Sequence, residues 1–204
     1  MIVIVDYGMG NLNSVKRRLD SLAQDVVISN DSRVIAQAER LILPGVGHFG
    51  QAMDNLKKMS LIAILNDLVI ESKIPVLGIC LGMQLMTKSS EEGDVEGLGW
   101  FDCNTEKMKV GNNSIYKLPH IGWNTITFEQ SNQLMEGIEW NSEVYFVHNY
   151  GVYNAPQNQI LNHTDYGSSF VSALQKDNII GMQYHPEKSH DVGLQILRNF
   201  LKFN

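Results

Sequence analysis

Pro75-Val76-Leu77-Gly78-Ile79-Cys80-Leu81-Gly82-Met83-Gln84 is the stretch on which the reading of this chain turns. An apolar run following a proline reads as a buried strand, and the cysteine at its end falls between glycines two residues before and two after. That spacing suits a sharp strand-to-helix turn that pushes one side chain outward, with the flanking glycines admitting a backbone other residues avoid. A cysteine so placed sits at a helix N-terminus, where free N–H groups and the helix dipole favour the nucleophilic thiolate. The N–H of Leu81 is then a candidate donor to an oxyanion. A lone cysteine on an apolar strand is more often inert core, so Cys80 needs partners elsewhere in the sequence.

Upstream, short apolar runs alternate with helix-period segments, the pattern of stacked βα units around a parallel sheet. Ile2 to Val5 reads as the first strand, followed by Asp6-Tyr7-Gly8-Met9-Gly10-Asn11 and a helix carrying Leu12, Val15, Leu19 and Leu22. A dinucleotide loop lacks support, because Asn13 stands where a third glycine is required. Val26-Val27-Ile28 is a second strand, and Asn30, Asp31 and Ser32 offer N-caps for a helix through Ala38. Leu41-Ile42-Leu43 is a third, ending in Pro44-Gly45-Val46-Gly47-His48-Phe49-Gly50. Such a segment can aim backbone N–H groups and is a second candidate contribution to an oxyanion hole. Helices around Ala52–Met59 and Leu61–Ser72 lead to the Cys80 strand.

Downstream, Glu91 to Gly99 collects acidic residues and glycines and reads as a solvated loop. Extended segments are expected at Trp100–Val110, Ile115–Tyr116, Gly122–Phe128, Val144–Tyr153, Ile160–Asp165, Phe170–Gln175 and Ile179–Tyr184. A closing helix carries Val192, Ile196 and Phe200 beside Leu194, Leu197 and Leu201. The fold class expected is α/β, with a central mostly parallel sheet flanked by helices and extra antiparallel strands in the second half. A length of 204 residues fits one domain, 1–204.

The bulk properties narrow the function. Hydrophobic residues make up 44% and charged residues 19%, with no apolar run of membrane-spanning length. A net charge of −6 without a basic stripe argues against nucleic acid. The start Met1-Ile2-Val3-Ile4-Val5-Asp6 resembles a strand more than a signal peptide, so a cytoplasmic location with Cys80 and Cys103 both reduced is expected. The six histidines show no metal-ligand spacing, and no metal or cofactor is expected.

His185-Pro186-Glu187 supplies what Cys80 lacks. A thiolate needs a proton acceptor and a group to orient it, and in an extended segment residues two apart point the same way. Taken with Pro44-Gly45-Val46-Gly47, Gly78-Ile79-Cys80-Leu81-Gly82-Met83-Gln84, Pro119-His120-Ile121-Gly122-Trp123-Asn124, Tyr145-Phe146-Val147-His148 and Gln183-Tyr184-His185-Pro186-Glu187-Lys188-Ser189, the chain resembles a class I (triad) glutamine amidotransferase. More narrowly it is similar to the glutaminase subunits of imidazole glycerol phosphate synthase, over essentially its whole length.

The resemblance implies a set of roles. Cys80 would attack the side-chain amide of glutamine, His185 would act as base and then acid, and Glu187 would orient His185. Val46, Gly47 and Leu81 would hold the oxyanion, while Gln84, Asn149 and Tyr150 would bind the substrate. The ammonia would pass to a cyclase/synthase subunit in a heterodimer that makes imidazole glycerol phosphate and AICAR, with Asn11, Trp123, Tyr145 and Lys188 facing that partner. Asn149 departs from the usual Ser or Thr of the family, a change a backbone contact tolerates. The segments Gly97–Asp102 and His185–His190 look closer to a branch that supplies ammonia for modified-sugar biosynthesis of surface polysaccharides, which stays open as the alternative acceptor. A free-standing cysteine peptidase and a non-catalytic binding subunit are the other readings; turnover of glutamine and covalent labelling of Cys80 separate them.

Overall fold

The computed structural model describes residues 1–23, 25–111, 115–128 and 132–203. The first half is built from β1 (Ile2–Val5), α1 (Leu12–Asp20), β2 (Val26–Ser29), α2 (Ser32–Ile35), β3 (Arg40–Gly45), α3 (Phe49–Lys58) and α4 (Leu61–Asn66). α4 runs into a π-helical turn over Asp67–Glu71, and β4 (Val76–Cys80) and α5 (Leu81–Leu85) complete that half. The second half adds β5 (Ser89–Ser90), β6 (Val95–Glu96), β7 (Glu106–Lys107), β8 (His120–Thr125), β9 (Glu143–His148) and β10 (Tyr150–Gly151). β11 (Ile160–Tyr166), β12 (Ser168–Lys176), β13 (Ile179–Met182) and α6 (His190–Lys202) close the chain.

Seven strands form the central sheet in the order β11-β12-β13-β4-β3-β1-β2. β2, β1, β3, β4 and β13 are parallel neighbours, and β12 and β11 extend the sheet antiparallel to them. Both faces of the parallel part are covered, which is why its strands read as unbroken apolar runs. Alternation sorts their side chains: Val3, Val5, Leu41, Leu43 and Val76 pack with α2 to α5, whereas Ile2, Ile4, Ile42, Leu77 and Ile79 pack with α1 and α6. Burying each such side chain contributes roughly 1.5–3 kcal/mol before conformational entropy is subtracted. β8 and β9 form a separate antiparallel ribbon, with His120 opposite His148.

Several sequence expectations need correction. α2 ends at Ile35 rather than Ala38, although Asp31 caps it as expected by accepting from the Arg33 N–H at 2.9 Å. β3 continues through Pro44 and Gly45, which pair with Ile79 and Cys80, so part of the presumed loop belongs to the sheet. Trp100–Val110 holds only the short β7 and a bridge at Thr105; Trp100, Phe101 and Cys103 are instead buried as apolar filling. Ile115–Tyr116 is not a strand, and the acidic stretch Glu91–Gly99 contains β6, hairpinned onto β5.

Candidate active site

Cys80 is the last residue of β4, and its backbone sits at φ +54°, ψ −110°, a conformation costly for any side chain. The strain therefore rests on the cysteine itself. Gly78 and Gly82 serve a different purpose from the one their spacing suggested. A Cβ on Gly82 would overlap the carbonyl oxygen of Leu43, and one on Gly78 would stand 2.8 Å from the Gly82 backbone. They let α5 lie directly against β3 and β4, which fixes the turn and aims the sulfur to the carboxyl end of the sheet, where open α/β folds place their ligands.

The end of β13 delivers the second group. The His185 N–H donates to the carbonyl of Tyr145 at 2.9 Å, and its ring Nδ1 lies 2.8 Å from Glu187 Oε1. Both side chains are almost completely buried. The pairing expected for an extended segment is present, but β13 stops at Met182 and Glu187 lies in a 3-10 turn over Pro186–Lys188. Nε2 of His185 is buried without a hydrogen-bond partner. Burial opposes charge on this ring, yet the neighbouring Cys80 sulfur and then Glu187 outweigh it, and the His185 pKa is raised above the ordinary histidine value. An open nitrogen beside a thiol, on a ring whose other nitrogen is held by a carboxylate, is equipped to take and return a proton.

Around the sulfur runs a directed hydrogen-bond network. Gln183 Nε2 donates to Cys80 Sγ at 3.6 Å, and the thiol in turn contacts the Val147 carbonyl at 3.6 Å. Gln84 Nε2 donates to Gln183 Oε1 and to the Tyr150 carbonyl, both at 2.9 Å. His148 Nδ1 meets the same carbonyl at 2.8 Å, and its Nε2 lies 2.9 Å from Nδ1 of His120. Burial holds both rings neutral, with His120 lowered to about 4 and His148 to about 3. His120 is further clamped between the rings of Phe146 and Tyr166.

A cavity of about 300 Å³ opens over Cys80, lined by Val46, Gly47, Leu81, Gln84, Glu92, Pro119, Val147, His148, Asn149 and Tyr150. The sequence candidates for the oxyanion and the substrate thus converge on one space. Gly47 has φ +119°, open to glycine and not to other residues. The Asn149 carbonyl accepts from the Met108 N–H and keeps a second lone pair, whereas that of Tyr150 is met by both Gln84 and His148. Tyr7, at the carboxyl end of β1, donates to the Pro44 carbonyl at 2.6 Å and fills the place where Gly45 lacks a side chain. Its burial, and Cys80 nearby, push its pKa up, so it stays a neutral donor.

Glu92, Gln183, Tyr7 and the paired histidines carried no assigned role in the sequence. Glu92 was indistinguishable from Glu91 and Asp94 beside it; the β5–β6 hairpin turns it inward, where it accepts from the Phe49 N–H at 2.7 Å at the start of α3. Cys103 is no competing nucleophile, since burial pushes its thiol up to about 12. A larger cavity of about 780 Å³ lies by β11 and β12, but its lining of Gln157, Asn158, Gln159, His163, Lys176 and neighbours holds no cysteine, serine or threonine. Among the described residues no group of three or more His, Cys, Asp or Glu is placed to hold a metal, and no helix is long and apolar enough to cross a membrane.

Three of the four expected interface residues form one cluster, with Trp123 exposed and Tyr145 and Lys188 half-buried. Trp123 stands edge-on to Tyr145, with ring centroids 5.9 Å apart, and Lys188 Nζ lies 5.4 Å from the centre of the Tyr145 ring. His190 stacks on Trp123 at 4.8 Å. Asn11, the fourth, is exposed and caps α1 by accepting from the Ser14 N–H.

Comparison with known proteins shows the family. The family model described as "Glutamine amidotransferase class-I" matches residues 3–203. Among curated relatives, "Imidazole glycerol phosphate synthase subunit HisH 2" of Methanococcus maripaludis is 48% identical over 99% of each chain. The HisH subunit of Aquifex aeolicus is 44% identical over 97% of this chain and 94% of its own. A solved structure described as a glutamine amidotransferase superposes with a TM-score of 0.78 at 16% identity, covering 100% of this chain and 98% of its own, which shows the shared fold. The chain belongs to the class I glutamine amidotransferase family.

Proposed function

We propose that the chain is the glutaminase subunit of an imidazole glycerol phosphate synthase, acting in histidine biosynthesis through Cys80, His185 and Glu187. The observation that carries the reading is the Cys80 sulfur on its strained turn beside a buried, otherwise unpartnered His185 Nε2 whose ring Glu187 holds at 2.8 Å. Near-full-length identity of 48% and 44% to named HisH subunits supports the pathway.

In the reaction, the proton of Cys80 passes to His185 and the sulfur attacks the side-chain carbonyl carbon of glutamine. The carbonyl oxygen becomes an oxyanion facing the N–H groups of Leu81 and of the Val46–Gly47 segment. A preorganised donor of this kind is worth roughly 100- to 1,000-fold in rate. His185 then protonates the amide nitrogen, the C–N bond breaks, and ammonia leaves a thioester on Cys80. Water, losing a proton to His185, hydrolyses the thioester to glutamate. Glu187 holds the tautomer and the charged ring throughout. Glu92, with one oxygen on the Phe49 N–H, offers negative charge in the cavity to the α-ammonium of the substrate. Gln84, with both amide hydrogens engaged, offers its carbonyl oxygen. The ammonia passes to a cyclase/synthase partner docked on the Trp123, Tyr145 and Lys188 face.

The test is glutamine turnover with and without the cyclase subunit and its ligand, scoring glutamate, imidazole glycerol phosphate and AICAR. Full activity requires the partner, and Cys80→Ala loses glutamine-dependent but keeps ammonia-dependent synthesis. Wild-type glutaminase rates in Cys80→Ala would overturn the chemistry. Ammonia transfer only to a sugar-modifying partner would overturn the pathway.

A further inference from the structure

Deprotonation creates a problem in this site that the triad does not address. The thiol hydrogen of Cys80 points to the Val147 carbonyl at 3.6 Å, and once that proton has gone to His185 the same carbonyl oxygen faces an anion. Cys80 is only 5% exposed, so little water can turn towards the sulfur, and a thiolate beside an acceptor there needs a fixed donor. Besides the ring of His185, the side chain directed at the sulfur is Gln183, whose Nε2 lies 3.6 Å away and whose residue is completely buried.

Which end of the Gln183 amide faces the sulfur follows from the network. The Tyr150 carbonyl can only accept, so the atom of Gln84 that meets it at 2.9 Å must be nitrogen. That nitrogen's second hydrogen is directed at Gln183, so the Gln183 atom receiving it must be oxygen. The remaining end, Nε2, is left for Cys80. The same logic runs outward: His148 must carry its hydrogen on Nδ1 to donate to Tyr150, so its Nε2 is bare and accepts from His120. The order of the chain is set by a backbone carbonyl that cannot turn over. Its consequence at the other end is that Gln84, both hydrogens spent, can meet a ligand only through its oxygen.

We propose that Gln183 is a further residue of the reaction: its Nε2–H holds the Cys80 sulfur as it becomes anionic, while its Oε1 locks the amide of Gln84 in the orientation that receives the substrate. One side chain thus joins the nucleophile to substrate recognition. The proposal rests on the glutaminase reading for its substrate but not for its contact with the sulfur. Of the titratable groups around the site besides His185 and Glu187, burial keeps Tyr7 protonated and His148 neutral, and Glu92 in the cavity has one oxygen on the Phe49 N–H, so none of the three supplies a positive charge that replaces this donor.

Two substitutions separate the two halves of the role. Gln183→Glu keeps an acceptor for Gln84 but turns no N–H to the sulfur. Its kcat for glutamine should fall about 10-fold or more, the usual worth of a hydrogen bond to a charged group, with KM within about twofold. Carbamidomethylation of Cys80 by iodoacetamide at fixed pH, with loss of iodide, should slow by a similar factor. Gln183→Met removes both contacts at similar size, so KM should rise as kcat falls. Wild-type alkylation and kcat in Gln183→Glu, or an equal rise of KM in both variants at unchanged kcat, overturns the proposal. A third measurement needs no Gln183 variant: the side-chain amide resonance of Gln183 should move between wild type and Cys80→Ala, and a resonance that stays in place overturns the contact. Absence of glutamine turnover in the wild type would instead sink the glutaminase reading, leaving the alkylation and resonance results to stand.

Discussion

His185 and Glu187 are joined at 2.8 Å across a single proline, with the histidine on an extended backbone and the glutamate in a 3-10 turn. Glu187 Oε2 has no hydrogen-bond partner and is buried, so this carboxylate is committed to the ring. Glu187→Gln keeps a hydrogen-bonding group at Nδ1 but loses the charge that stabilises the protonated ring. Glutamine turnover should drop less than in His185→Ala, with KM little changed in both. Steady-state kinetics decide, and an equal or greater loss in Glu187→Gln contradicts the orienting role.

Strain at Cys80 predicts a trade of activity against stability. At φ +54°, ψ −110° only glycine is at ease, and the penalty for a side chain there is of order 1–3 kcal/mol. Cys80→Ala retains the penalty; Cys80→Gly removes it and gives back roughly 0.5–1 kcal/mol in chain entropy. Both variants should be inactive, and Cys80→Gly should melt above Cys80→Ala. Differential scanning calorimetry tests this, and the reverse order would show that the turn stores no strain.

Gly82 has no such freedom in the other direction. A methyl group there overlaps the Leu43 carbonyl, which is backbone held in the sheet and cannot step aside. Gly82→Ala should cost about 3 kcal/mol or more, towards the upper end of overpacking effects. Chemical denaturation should report the loss, together with reduced Cys80 alkylation because α5 is displaced from β3.

Opposed histidine shifts predict a stability maximum near neutral pH. His120 and His148 are depressed to about 4 and about 3, so the unfolded chain binds their protons first and stability falls as pH drops from about 6.5, each contributing up to about 1.4 kcal/mol per pH unit. His185 is raised, so its contribution is complete below about 6.5 and is lost as pH rises towards its folded value. Melting temperature plotted against pH should therefore peak around 6.5. His120→Gln should flatten the acid limb and His185→Gln the alkaline limb; a profile unaltered by either variant would refute the assignment.

Sequence alone determined the α/β core and singled out Cys80, His185 and Glu187 as the residues proposed here for nucleophile, base and orienting group. The parallel strands are buried on both faces, so they must be continuous apolar runs, and that signal is local. The elbow and His185-Pro186-Glu187 were equally local, because each packs its requirement into a few neighbouring positions. What the tertiary structure decided is everything that depends on residues distant in the chain. Gln84 and Gln183 lie 99 positions apart yet share a hydrogen bond, and β13 reaches β4 only because the sheet inserts it there. Glu92 faces the cavity because of a hairpin whose strands, two residues each, are too short to leave a periodic trace. Trp100–Val110 carried strand-like composition but is buried without a ladder, since apolar residues satisfy a core contact equally well in irregular backbone. Local pattern specifies which atoms are available for chemistry; only the packing of the sheet specifies which amide hydrogen meets the sulfur.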